Sequence, residues 1–301
     1  MFYDIFESIK INIDQPRGLT SPSLFNINPS SQVCFNDDGK SVGACLRQVW
    51  FDKTKSVTKT NNISLKAKMA GFSGNWWEDW FIDQMKALHI YKDSNVPATD
   101  VPRFMKGLVD VVIKNPNSGK VELVEVKTYN GSIWNIAQNI HGSTKVTPKP
   151  KMNHLLQSFR YLIVYKEQVE AINICYIDRS CGDWYKHKQF RITLMEIDGR
   201  HYPNIECVYN DELYSYVETE VSMEGILEAE DVLIQFFADS TTPPKDYIEL
   251  YDDQTIIRRY MDGLVPEYLY KKWQTNPDKT PIGDFQCAYC PYYGGACSNY
   301  D

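Results

Sequence analysis

The chain has 301 residues, is 43% hydrophobic and 24% charged, and carries a formal net charge of -7. This length allows one large domain with a sizeable core, and the negative balance argues against a protein that coats nucleic acid non-specifically. Apolar runs stay short of the about eighteen residues a membrane span needs, and the N-terminal MFYDIFESIKINID carries acids where a signal peptide carries a basic head, so a soluble, cytoplasmic protein is expected.

Residues 1–70 mix polar turns with short apolar runs, and there is no repeat, low-complexity tract or linker long enough to divide the chain. One body of 301 residues is expected, with a core at 75–178 and flanking regions at 1–74 and 179–301. Charge is unevenly placed: from Lys40 to Ala70 there are seven basic residues against the single acid Asp52, a local balance of +6. Residues 75–92, NWWEDWFIDQMKALHIYK, read as an amphipathic helix. At about 100° per residue, Trp77, Phe81, Ile82, Met85 and Leu88 share a sector that also holds Glu78, while Asp79, Asp83 and Lys86 fall on the wet side. A carboxylate in an apolar sector is costly unless paired or metal-bound. Glu78 is therefore expected to have a metal, a buried ion pair or a rim position.

A strand hairpin is expected at 106–128, where GLVDVVI and VELVEVK flank the turn residues NPNSGK. With a period of two, Glu125 and Lys127 share one face while Val124 and Val126 point the other way into a core. The same parity puts Glu122 on the valine face unless a bulge intervenes. Pairing of the strands brings Asp110 close to Glu125 and Lys127. Two carboxylates and a lysine so placed can hold Mg2+ or Mn2+ with the lysine beside an attacking water; an ordinary hairpin with a charged wet face would carry the same residues.

Residues 151–166 read as a helix and 169–178 as a buried strand. On that helix His154, Gln157 and Tyr161, spaced i, i+3 and i+7, form a polar stripe opposite Leu155, Phe159, Leu162 and Ile163. The stripe is suited to a solvated surface or, beside a metal site, to contacts with a phosphate or a strand end. Residues 188–197 suggest another strand, and 211–238 and 254–273 read as helical, giving an α/β core with a largely helical C-terminal part. Glu206–Asp253 holds fourteen acids and one lysine, best explained as a solvated helical face.

Eight cysteines without a secretory signal point to reduced thiols or a metal centre. The chain ends in CAYCPYYGGACSNYD, placing Cys287, Cys290 and Cys297 within eleven residues, a strong metal-ligand pattern. A fourth ligand is needed: Cys45 is the first choice, Cys34 the second, and His201 would complete a Cys3His zinc site. Four thiolates suit a [4Fe-4S] cluster or tetrahedral zinc. Cys175, Cys181 and Cys207 are expected to be unligated, with Cys175 in the core.

In combination these motifs resemble the RecB-like branch of the PD-(D/E)XK nucleases, specifically its iron-sulfur members: CRISPR-associated, AddB-type and phage exonucleases. The family motifs are an acid or His on the first helix, Gly-x-x-Asp, acid-x-Lys and Gln-x3-Tyr. They are matched by Glu78, by Gly107 and Asp110, by Glu125 and Lys127, and by Gln157 and Tyr161, and the family's cysteines by Cys45, Cys287, Cys290 and Cys297. The resemblance implies a restriction-endonuclease-like α/β fold closed by a [4Fe-4S] cluster. It also implies that Glu78, Asp110, Glu125 and the backbone carbonyl of Val126 bind Mg2+ or Mn2+, with Lys127 orienting or deprotonating the water. DNA with free ends is the implied substrate, and exonucleolytic processing in phage or mobile-element recombination the implied setting. Glu78, where CRISPR-associated members commonly carry His, leans the chain away from a prespacer-trimming enzyme working with an integrase. A non-catalytic DNA-binding module held by its metal centre is the remaining alternative; no G-x4-GK-[ST] occurs, so a helicase is not expected in this chain.

Overall fold

A computed structural model of the chain describes residues 27–59, 65–129, 148–179, 188–209, 212–288, 290–293 and 297. Cys181, the polar loop 130–147 and the side chains of Lys66 and Lys68 in the basic stretch lie outside the described residues. In chain order, β1 (Val33–Phe35) and β2 (Ser41–Gly43) form a ribbon that leads into α1 (Leu46–Thr54) and α2 (Leu65–Ala87). Then come β3 (Tyr91–Asp100), β4 (Met105–Lys114), β5 (Val121–Tyr129), α3 (Met152–Tyr165), β6 (Ala171–Asp178), β7 (Lys188–Ile197), β8 (Arg200–Tyr209) and β9 (Glu212–Val217). The chain continues through α4 (Met223–Ala238), α5 (Asp253–Met261), α6 (Glu267–Thr275) and the short α7 (Phe285–Ala288).

Strands β3 to β9 make one seven-stranded mixed sheet in sequence order, so the protein is mixed α/β. Every neighbouring pair is antiparallel except β5 and β6, which run parallel because α3 lies between them as the crossover. On one face α2 lays Trp77, Trp80, Phe81, Ile82 and Met85 over Val111, Val124, Val126 and Ile177. On the other, α3 packs Leu155, Leu156, Phe159 and Leu162 on Val109, Leu123, Ile172, Ile174 and Phe190. Cover on both faces is why β5 and β6 are almost continuously buried. A second core joins Val33, Leu46, Val49 and Phe51 to Ala229 and Leu233 of α4 and to Tyr292, drawing the two ends of the described chain together.

Several expectations from the sequence need correction. The helix read at 75–92 starts earlier, at Leu65, and stops at Ala87. Leu88 is consequently exposed rather than part of the apolar sector, and Tyr91 opens β3. That strand escapes periodicity because it is a sheet edge with mostly exposed, polar residues and a proline at Pro97. The C-terminal part is not largely helical: β7, β8 and β9 extend the sheet, and 211–238 splits into β9 and α4. Tyr214, Tyr216 and Val217 favour a strand, and Ser222 starts the helix by accepting a hydrogen bond from the Gly225 N–H. Residues 254–273 form two helices, separated where Gly263 takes a positive φ of 72°.

The acidic segment is not simply a wet face either. Glu230 is buried against Arg160, which is itself fully buried and also reaches Asp100, and Glu218 is buried with Lys149. The basic and acidic charges thus cross-link layers of the fold. Among the described residues no helix is long and apolar enough to cross a membrane.

Candidate active site and thiol cavity

The site is made by an interruption in the sheet. Strands β4 and β5 pair from Lys114↔Val121 up to Val111↔Val124 and then part. On its other side Asp110 is skipped in the pairing with β3, at the level of Asn95 and its positive φ of 53°. Met105 and Val109 pack toward α3 whereas Val111 and Ile113 pack toward α2, so the side-chain alternation switches across Asp110 as it does at a bulge. The carboxylate turns into the opened seam, and its Oδ2 accepts the Val126 N–H at 2.7 Å in place of a strand carbonyl. In an extended strand a residue's C=O points to the same edge as its N–H, so the Val126 carbonyl borders the same seam.

Glu125 lies on the α3 face and is only 1% exposed. Its Oε1 accepts from Lys127 Nζ at 2.6 Å and from Gln157 Nε2 at 2.7 Å. Lys127 Nζ also donates to Gln157 Oε1 at 3.1 Å, so both ends of the Gln157 amide are engaged. Its Nε2 further donates to the Tyr161 hydroxyl at 3.4 Å. Glu125 Oε2, by contrast, is buried with no hydrogen-bond partner among the described residues. Gly107 is required opposite this helix, since a Cβ there would come within 2.8 Å of the Tyr161 ring and hydroxyl.

Glu78 reaches the seam from α2. Burial first, then Asp110 and Asp79, push its carboxyl up to about 7, with Lys127 opposing. Burial and then Glu125 push Asp110 up to about 7. Glu125 is also raised, chiefly by burial and against the pull of Lys127. Acids from opposite sides of the sheet thus act on one another electrostatically across the parted strands.

Glu78, Asp110, Glu125, Val126, Lys127, Gln157 and Tyr161 are therefore brought together. The arrangement differs from an ordinary wet hairpin, and the stripe on α3 is not a solvated surface: Gln157 and Tyr161 are buried. Glu122 sits apart from the seam, buried among Asn115, Asn173 and Arg191. Two further residues stand at the rim. His154 Nδ1 meets the Tyr176 hydroxyl at 2.9 Å, and Tyr176 is the register partner of Lys127 across the parallel pair. The polar spacing on α3 singled out His154; Tyr176 could be found only once the β5–β6 register was known.

Among the described residues no group of three or more His, Cys, Asp or Glu side chains is placed to hold a metal ion. At the carboxylates, Lys127 occupies Glu125 Oε1. The donor chemistry nonetheless fits a hard divalent cation: carboxylates that raise one another's proton affinity, an orphaned buried oxygen and an adjoining carbonyl.

At the other end of the molecule Cys45, Cys287, Cys290 and Cys297 line one cavity. Cys45 is the residue that precedes α1, and the C-terminal segment is docked on that helix. The Tyr292 ring lies 5.0 Å from Phe51 and its hydroxyl donates to Asp52 at 2.9 Å, while Arg47 Nη1 donates to the Cys297 carbonyl at 3.1 Å. Cys34 is elsewhere, buried in the main core with its thiol directed at the Ser222 carbonyl, and His201 is paired with Glu224 at 2.9 Å. Of the three candidates, Cys45 is the one that lines the cavity with Cys287, Cys290 and Cys297. None of the four is in a disulfide, and burial above all raises their pKa values, Cys45 and Cys287 to about 12. The four do not form a metal-binding group as placed among the described residues, but soft donors lining one cavity have the chemistry of a thiophilic metal site, and such a metal would hold them as thiolates. Cys175 lies against the α2 core and Cys207 in the main core, away from the thiol cavity.

Comparison with known proteins returns no match, whether to a protein family, a curated protein or a solved structure.

Proposed function

We propose that this chain is a divalent-metal-dependent DNA nuclease of the RecB-like PD-(D/E)XK type, acting as an exonuclease on DNA ends. The observation that carries the reading is the buried, unpartnered Glu125 Oε2 in a seam shared with Asp110, Glu78 and Lys127. Glu78, Asp110, Glu125 and the Val126 carbonyl would hold Mg2+ or Mn2+. When bound, that ion supplies a Lewis acid that makes water more acidic and offsets phosphate charge.

The chain's own groups supply the rest. Lys127 has three N–H donors and spends two, on Glu125 and Gln157, which fix the ammonium and leave one for a water or phosphate oxygen. Gln157 acts through Lys127 and Glu125, holding both in register, and Tyr161 stands behind Gln157. The thiol cavity would hold a [4Fe-4S] cluster through Cys45, Cys287, Cys290 and Cys297, tying the chain ends to one another rather than transferring electrons.

The test is a time course on end-labelled single- and double-stranded DNA with anaerobically purified protein. Cleavage that needs Mg2+ or Mn2+, stops with EDTA and disappears in Lys127→Ala while DNA binding persists is the expected result. No cleavage of either substrate by the wild-type protein overturns the nuclease reading. Full activity of Lys127→Ala overturns the role of the lysine. A brown preparation identifies iron and sulfide in the cavity; a colourless, zinc-loaded one replaces the cluster with zinc.

A further inference from the structure

His154 stands one helical turn before Gln157 on α3, and the seam mechanism leaves it without a task. Its surroundings fix the position of its proton. The Lys151 N–H donates to the Tyr176 hydroxyl oxygen at 3.1 Å, so that lone pair is used. Tyr176 is 3% exposed, and among the described residues the acceptor offered to its O–H is His154 Nδ1 at 2.9 Å. A hydroxyl that accepts from one side and donates to the other is fully satisfied. With Nδ1 accepting, the neutral imidazole carries its hydrogen on Nε2, on the ring edge away from Tyr176. Burial, with Lys127 and Lys151 nearby, pushes His154 down to about 3, so the ring is an uncharged donor.

The placement of this donor follows from the sheet. Tyr176 and Lys127 are register partners in the parallel β5–β6 pair and project from the same face, so the Tyr176–His154 pair borders the Lys127 ammonium. The Nε2 edge has no partner among the described residues and His154 is only half-buried. A ring oriented by a buried hydroxyl, with its free N–H beside a lysine, suits an anionic oxygen.

We propose that His154, oriented by Tyr176, donates its Nε2–H to a non-bridging phosphate oxygen of the DNA strand held at the seam. This rests on the nuclease reading and adds a substrate contact to it. His154 is then a catalytic residue in the sense that it touches substrate, and Tyr176 is a positioning residue.

The experiment uses the full-length, metal-loaded protein and oligonucleotides carrying one uncharged methylphosphonate at successive positions. His154→Ala should lower kcat/KM about 10- to 100-fold, the scale of a hydrogen bond to a charged group, in protein that still folds by circular dichroism. His154→Gln, whose amide N–H can occupy the place of Nε2–H, should retain activity within about threefold, whereas His154→Asn, which reaches only the Nδ1 position, should resemble the alanine variant. Tyr176→Phe should cost less than His154→Ala and add nothing to it in the double variant. Wild type should be slowed by the methylphosphonate at the contacted phosphate, and His154→Ala should lose that discrimination. The proposal is overturned if His154→Ala cleaves like wild type, if Gln fails to rescue, or if the methylphosphonate profile is the same in both, while Lys127→Ala is inactive. Failure of the wild-type protein to cleave any DNA would instead remove the nuclease reading and this contact with it.

Discussion

Replacing Lys127 with Met keeps much of the aliphatic stem and removes the ammonium that lies 2.6 Å from Glu125 Oε1 and 3.1 Å from Gln157 Oε1. Glu125, 1% exposed, is left with Gln157 Nε2 at 2.7 Å and with the neighbouring acids Asp110 and Glu78. The cost has a ceiling, because a buried carboxylate without a counter-charge takes up a proton instead. Protonating a carboxyl of ordinary pKa about 4.3 at pH 7 costs about 3.7 kcal/mol, at about 1.36 kcal/mol per pH unit. Wild type already bears part of this, since burial holds the Glu125 pKa above its ordinary value even with Lys127 present. A loss of about 2 kcal/mol is therefore expected in EDTA at pH 7, a fall in Tm of roughly 4 °C.

The pH dependence has a definite sign. With the folded-state pKa raised further in the variant, the folded variant retains a proton that folded wild type has released, so the loss relative to wild type grows as pH rises through the wild-type folded-state pKa and levels off beyond that of the variant. At pH 5 the same ceiling is only about 1 kcal/mol. A divalent ion can replace the missing positive charge, and at a hundred times its Kd contributes about 2.7 kcal/mol, so saturating Mg2+ should return most of the lost stability. Denaturation followed by circular dichroism, in EDTA at pH 5 and 7 and then with Mg2+, measures all three. A loss that is the same at both pH values and unaffected by Mg2+ would refute the ionic reasoning.

Three further outcomes test the scaffold. Arg160→Met strands Glu230, whose oxygens now lie 2.8 and 3.0 Å from the guanidinium, and should cost about 3–5 kcal/mol; adding Glu230→Leu should recover much of it, and a loss below about 1 kcal/mol in urea denaturation would show the pair to be unimportant. Gly43→Ala places a Cβ against Leu156 Cδ1 and 2.7 Å from the Gln32 carbonyl oxygen at a φ of +98°, and should destabilise by about 1–3 kcal/mol by the same measurement. Cys45→Ser should sharply lower metal bound per chain by elemental analysis, whereas Cys34→Ser should leave it unchanged; the reverse result would move the fourth ligand.

Much of the central fold was legible in the sequence because its segments bury a face. The 106–128 hairpin, the helix at 151–166 and the strand at 169–178 were each marked by periodicity, since both faces of the central strands are covered. Edge strands were not: β3 and β9 answer to pairing with a neighbour rather than to burial, and their polar residues read as loop or helix. β8 was missed as well, and its membership of the sheet is set by ladders to β7 and β9 that no local pattern encodes.

For the candidate site, the sequence by itself determined the chemical inventory. Strand parity separated Glu125 from Glu122, helix geometry put Glu78 on an inward sector, and spacing grouped Cys287, Cys290 and Cys297. The tertiary structure decided convergence. The parting of β4 and β5 at Asp110, the buried Glu125 Oε2 with no partner among the described residues, the placing of Cys45 rather than Cys34 in the thiol cavity, and the Tyr176–His154 pair beside Lys127 all depend on elements far apart in the chain. Periodicity reports which way a side chain points on its own element, because that direction follows from local backbone geometry. Where two such side chains meet depends on sheet register and layer packing, which are set by long-range contacts.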